Sequence, residues 1–318
     1  MYKLIRFYNQ NRRKIWMTIL IIVFIIGIIQ LLNYLTKVNR EKNVNQITNI
    51  IETNNTNKEL ISNKSAITGN SVSNTKLKGD TEIINEFIKY CNEQNLNLAY
   101  EMLSEECKEE MFPTIEDFNN IYYSKIFGEN KKIYTIENWL DNIYQVKFTV
   151  DILSTGDLTN NETKQDYITI TKENGEKKLN INNYVGRNNL NKTTEYKNVK
   201  ITVTKVDTYM DYEIYNLVIE NNSENDILLD TSDDTKSVYL LDNKDMKYYF
   251  YSNEIIENKL MVESKFTRNL QIKFSNSYSS DRKINKLVFS KFVLNYDEYK
   301  TLENKEEYNN FYEYRVNV

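Results

Sequence analysis

The chain has 318 residues and a formal net charge of −4, with no histidine, one proline (Pro113) and seven glycines. Without histidine there is no imidazole base, no Ser-His-Asp or Cys-His arrangement and no His metal ligand. Its glycines form neither GxGxxG nor GxxxxGK[ST], which removes the phosphate-cradling loops. The sequence therefore predicts no enzyme, no cofactor, and neither a catalytic nor a metal centre. The many Asn, Lys, Ile and Tyr residues read as the translation of an AT-rich genome.

Charge is unevenly spread. Residues 1–42 carry eight basic side chains and one acid, Glu41, which leaves 33 basic against 44 acidic residues, a net −11, over 43–318. Phosphate-backbone binding needs neutralising Lys and Arg, so an acidic body argues against nucleic acid as a partner.

From Ile15 to Thr36 run 22 residues without a charge. As a helix rising 1.5 Å per residue this stretch would cover about 33 Å, against a hydrocarbon core of about 30 Å. Trp16 and Tyr34 sit near its ends, and the five basic residues before it predict a cytoplasmic N-terminus. No small-x-small cleavage site follows, so the expectation is an uncleaved signal-anchor: a 1–14 cytoplasmic tail, a 15–36 transmembrane helix, and C-terminal domains outside the membrane. Residues 37–79 lack aromatics and read as a flexible linker.

Order is expected from Asp80, a candidate N-cap for a helix whose Ile84, Phe87, Ile88 and Cys91 share one face. Leu98, Ala99, Met102 and Leu103 predict a second helix, which Pro113 ends. Thr114-Ile-Glu-Asp117 opens a third in the manner of a capping box. The period then drops to 2: Tyr144, Val146, Phe148, Val150 and Ile152 alternate with polar residues, and Asn174-Gly175 joins two further strands as a hairpin. Three helices and a curved antiparallel sheet make an α+β domain over 80–187. Beyond Tyr196 every pattern is strand-like, which predicts an all-β sandwich over 196–318.

The runs Phe87-Ile-Lys-Tyr90, Asn97-Leu-Ala-Tyr-Glu-Met-Leu-Ser104 and Phe112-Pro-Thr-Ile-Glu-Asp-Phe118 resemble extracytoplasmic, Gram-positive members of the nuclear transport factor 2-like (cystatin-like cone) superfamily. The resemblance covers about a third of the chain and implies a fold, a sheet wrapped around a long helix, without catalytic residues. Ile219-Glu-Asn-Asn-Ser223, Tyr239-Leu-Leu-Asp242 with Tyr248, and Leu270-x-Ile-x-Phe274 are similar to immunoglobulin-like domains of bacterial surface lipoproteins, although Asp245 stands where their hairpin has glycine. The single-span layout resembles scaffold subunits of conjugation and type IV secretion complexes.

Cys91 and Cys107 are either a disulfide between the first two helices or two buried thiols. Glu105, Glu106, Glu109 and Glu110 stack like charges on a helix, which reads as a solvated face. Asp226, Asp230, Asp233 and Asp234 are candidates to gather around one hard cation such as Ca²⁺, but their order matches no EF-hand loop. Tyr248, Tyr249, Tyr251, Tyr308 and Tyr312 are either strand packing or an aromatic binding surface. The function expected is a membrane-anchored, non-enzymatic protein-interaction module, with a protein partner or a second copy of itself. The alternative is a small-ligand or cell-wall-glycan binder using the mouth of the cone.

Overall fold

A computed structural model of the chain describes residue 30 and residues 62–128, 130–151, 163–231, 236–249, 260–275, 278 and 282–318. Two compact units divide it, Met1–Ser62 and Asn63–Val318, and the second contains nearly all described residues.

Helix α1 (Asn74–Asn92) is capped seven residues before the expected position: Ser73 Oγ accepts from the Lys76 amide at 3.2 Å. Leu77, Thr81, Ile84, Phe87, Ile88 and Cys91 form its buried stripe, at the helical spacing. Asp80 lies within that stripe and is 1% exposed. Burying a carboxylate demands partners, and it has two: Tyr144 Oη donates at 2.8 Å and Lys177 Nζ at 2.7 Å. Gly79 leaves room for that lysine, because a Cβ there would stand 2.9 Å from Nζ.

Short helices α2 (Leu96–Glu101), α3 (Glu105–Met111) and α4 (Ile115–Phe118) follow, then a π-turn (Asn119–Tyr123) and α5 (Ser124–Ile126). The capping box at Thr114 and Asp117 forms in both directions. Phe118 and Tyr122 stack at 5.8 Å, with Phe87 and Phe112 around them.

These helices adjoin an antiparallel sheet in the order β1-β2-β3-β4, of β1 (Lys132–Leu140), β2 (Ile143–Val150), β3 (Lys164–Glu173) and β4 (Glu176–Asn180). Asn174 and Gly175 turn the β3–β4 hairpin with φ 51° and 86°. The edge strand β1 is covered at both ends. Asn92 pairs with the amide and carbonyl of Lys132 at 2.9 Å each, and the amides of Ala66 and Ile67 bond the carbonyls of Asn138 and Trp139. Such cover blunts an edge that would otherwise template further strands.

The remaining strands are β5 (Tyr184–Tyr196), β6 (Val199–Tyr209), β7 (Tyr212–Asn221), β8 (Ile227–Leu228), β9 (Val238–Asp242), β10 (Lys247–Tyr249), β11 (Met261–Val262), β12 (Thr267–Ser275), β13 (Ile284–Phe292) and β14 (Tyr312–Asn317). They form sheets β12-β7-β6-β5 and β10-β9-β13-β14 and the pair β11-β8, and helix α6 (Tyr296–Thr301) precedes β14. Val203, Leu217, Ile272 and Phe274 of one large sheet share a core with Leu240, Leu287, Phe289 and Val316 of the other. Two sheets sharing one core are consistent with the β-sandwich expectation. Residues 188–195, between the two expected domains, belong to β5, and both expected domains lie in the one unit Asn63–Val318.

Two expectations need correction. Among the described residues strand outnumbers helix about two to one, in several antiparallel sheets, so a fold class led by a transmembrane helix and an α+β cone gives way to a mostly β fold. Among the described residues no helix is long and apolar enough to cross a membrane. Residues 15–36, where the span was placed, lie outside the described residues apart from Gln30. The single-pass anchor, the membrane as partner and the extracytoplasmic placement derived from it are therefore not carried forward.

Replacing Asp80 by Asn would leave the Lys177 ammonium facing a neutral amide beside a buried Tyr144. Lys177 is about one-third exposed, so solvent relieves part of the loss, and a fall of about 2 kcal/mol in unfolding free energy is expected. Urea denaturation measures it. A change below about 0.5 kcal/mol would show that the pair contributes little.

Candidate functional site

The densest charged cluster among the described residues is built from the start of β5. The β4–β5 turn runs Ile181-Asn-Asn-Tyr184, with φ 60° and 62° at the two asparagines and the Tyr184 amide bonded to the Ile181 carbonyl. Asparagine tolerates this left-handed backbone better than most residues. The register then slips between Tyr184 and Gly186, which sets Arg187 directly opposite Asp207 on β6. Arg187 Nε donates to Asp207 Oδ1 at 2.6 Å, Nη1 to Glu109 at 2.7 Å and Nη2 to Glu110 at 2.9 Å. Its amide donates to Glu106 at 3.2 Å. Tyr184 Oη and Asn216 Nδ2 also donate to Asp207, Tyr209 Oη donates to Glu110, and Lys205 Nζ stands 3.5 Å from Asp207.

The Arg187 side chain is 6% exposed and that of Asp207 is fully buried. Burial opposes the guanidinium charge, but the bonds to Asp207 and Glu109 outweigh it and raise its pKa. A planar fork that meets three carboxylates is a task for arginine and not for lysine. The acidic run of α3, expected to be a solvated face, is so at Glu105 and Glu109, whose side chains are about 70% exposed, yet Glu106, Glu109 and Glu110 also accept from Arg187. Glu105 alone of the four pairs elsewhere: its carboxylate meets Lys108 at 2.9 Å, and its amide is capped by Glu173. The Arg187 bonds join α3 to β5 and β6.

No family model, curated protein or solved structure matches the chain. The chemistry of its other candidate residues is therefore read from geometry alone.

Cys91 and Cys107 are both buried free thiols, so the candidate disulfide is not formed. Desolvation raises both, Cys107 to about 12, which keeps them protonated and poorly nucleophilic. The tyrosine set is divided. Tyr248 and Tyr249 lie on β10 and Tyr312 on β14, at opposite edges of one sheet. Tyr308 is a core residue between Tyr299 and Phe311, at 5.2 and 4.9 Å, and Tyr251 lies outside the described residues. Tyr248 donates to Asp242 at 3.0 Å beneath the Arg282 guanidinium, whereas Tyr249 is exposed and meets Tyr239 edge-on. The sequence reading missed a different aromatic neighbour of Tyr312, namely Tyr196.

Asp226 accepts from the Ser264 amide and Asp230 from Ser237 Oγ, while Asp233 and Asp234 lie outside the described residues. Among the described residues no group of three or more His, Cys, Asp or Glu is arranged to hold a metal ion.

Asp166 on β3 is the buried carboxylate that supports the β4–β5 turn. It accepts from Tyr122 Oη at 2.8 Å and from the amides of Asn182 and Asn183 at 3.0 and 2.9 Å. Desolvation outweighs these bonds and pushes its pKa up to about 6. The folded state thus holds this proton more tightly than the unfolded chain, whose aspartate has a pKa of about 4. The stability contributed is fully present below pH 4 and lost as pH rises through 6, amounting to about 3 kcal/mol. Unfolding free energies of the wild type and Asp166→Asn should therefore diverge across that window, the wild type losing stability relative to the variant. Parallel profiles from pH 4 to 7 would show that Asp166 does not titrate there.

Proposed function

We propose that the chain is a non-enzymatic protein-interaction module. Its buried ionisable groups serve as internal joints: Arg187 with three carboxylates, Asp80 with Lys177 and Tyr144, and Asp166 with Tyr122 and two amides. Groups engaged in this way give a rigid platform.

The observation that carries the reading is the β9–β10 hairpin. Asp242 Oδ1 accepts from the amides of Lys244 and Met246, and Asp245 takes the left-handed backbone that a glycine would otherwise supply. This turn presents Met246 at 58% exposure, and the edge strand β10 that follows presents Tyr249 at 42%. A methionine and a tyrosine held out on a fixed hairpin are the residue types enriched where proteins meet.

The test is a photo-crosslinking amino acid placed at Met246 or Tyr249 of the full chain in intact cells, with Asn174 on the exposed β3–β4 turn as the control. A discrete adduct from the β9–β10 positions, absent from the Asn174 position, is expected. Equal labelling at all three positions, or none above background, would overturn the assignment.

A further inference from the structure

The first strand of one large sheet and the last strand of the other meet in a cluster of three tyrosines. Tyr314 on β14 is buried, with its hydroxyl within reach of the Thr194 and Val199 carbonyls at 2.9 and 2.7 Å, and Phe292 packs 5.1 Å away. Its ring is therefore fixed. Tyr196, at the end of β5, is 45% exposed and stands 6.2 Å from the rings of both Tyr312 and Tyr314. The planes are tilted by 53° and 78°, so Tyr196 and Tyr312 meet at an open angle and not as a stack, with the buried Tyr314 behind them.

A cation already occupies that angle. The β5–β6 turn places Lys197, with φ 50°, so that Nζ lies 3.9 Å over the Tyr312 ring and 5.5 Å over that of Tyr196. Both distances fall within the range in which an aromatic quadrupole attracts a cation. The lysine itself is exposed on the turn, so its ammonium can leave for water at small cost. Glu195, two residues before Lys197, lies within electrostatic reach of Tyr314 and adds negative potential beside the rings.

We propose that Tyr196 and Tyr312, held against the buried Tyr314, form a binding site for a small quaternary ammonium compound, with Lys197 as its built-in competitor. A primary amine would offer the rings the same chemistry as Lys197, which competes at the millimolar effective concentration of a tethered group. A quaternary ammonium differs in two respects. It is weakly hydrated and so loses less on leaving water, and its methyl groups can touch several ring faces at once. Entry requires Lys197 to swing out, which lowers the apparent affinity by the fraction of time the lysine occupies the rings.

Choline chloride is titrated into the full chain by calorimetry, with potassium chloride and propylamine hydrochloride as controls at equal ionic strength. Lys197→Ala is expected to bind choline roughly tenfold more tightly than the wild type. Adding Tyr312→Ala should abolish saturable binding with an unchanged circular dichroism spectrum. If Tyr312→Ala does not fold, Tyr196→Ala, which removes an exposed ring, decides the matter and should weaken binding. The proposal is overturned if Lys197→Ala binds choline no better than potassium or propylamine, or if loss of the rings leaves choline binding unchanged.

Discussion

Three carboxylates from two parts of the chain converge on one guanidinium. Glu109 and Glu110 come from a short helix, Asp207 comes from a strand about a hundred residues later, and Arg187 between them bonds all three. An arginine taken out of water with a buried aspartate is costly unless every donor is used, and here the geometry uses Nε, Nη1 and Nη2. Removing the guanidinium would strand Asp207 in a site where only Tyr184, Asn216 and the more distant Lys205 remain. The cluster is thus a requirement that the fold must meet, and meeting it fixes where the helices stand relative to β5 and β6.

The other buried charges support the same arrangement. Asp166 holds the two left-handed asparagines that aim β5, and the slipped register after Tyr184 turns Arg187 toward Asp207. Asp80 ties α1 to β2 and β4 through Tyr144 and Lys177. Each of these carboxylates lies inside a unit whose bulk energy comes from apolar burial. The polar joints add direction, which the non-directional hydrophobic effect lacks.

Much of this was legible in the residues where the signal is local. The capping box at Thr114 and Asp117, the Asn174-Gly175 hairpin and the alternation through Tyr144 to Val150 all rest on chemistry within a few positions. Long-range pairing is invisible to such reasoning. Asp80 looked like a helix cap because Asp favours that position, but Ser73 holds the cap and Asp80 answers to Lys177 nearly a hundred residues away. The acidic run on α3 looked solvated because its partner lies far along the chain. One clue was present: Arg187 is the only arginine between Arg40 and Arg268 in a chain where lysine is the common cation. A lone arginine in that setting marks a place where a planar fork is needed. Tyr312 was one of five tyrosines singled out, but its neighbours Tyr196 and Lys197 are set by strand pairing that spacing does not reveal.

The central claim is that the Arg187 cluster makes the helices and the sheet containing β5 and β6 one cooperative body. Hydrogen-exchange mass spectrometry along a urea gradient tests this most directly, by comparing peptides from α1 to α3 with peptides from β6 and β7 in the wild type and in Arg187→Met. A shared midpoint in the wild type that splits in the variant, with the two regions opening separately, is the predicted result. Midpoints that stay together and unshifted in Arg187→Met would contradict the account.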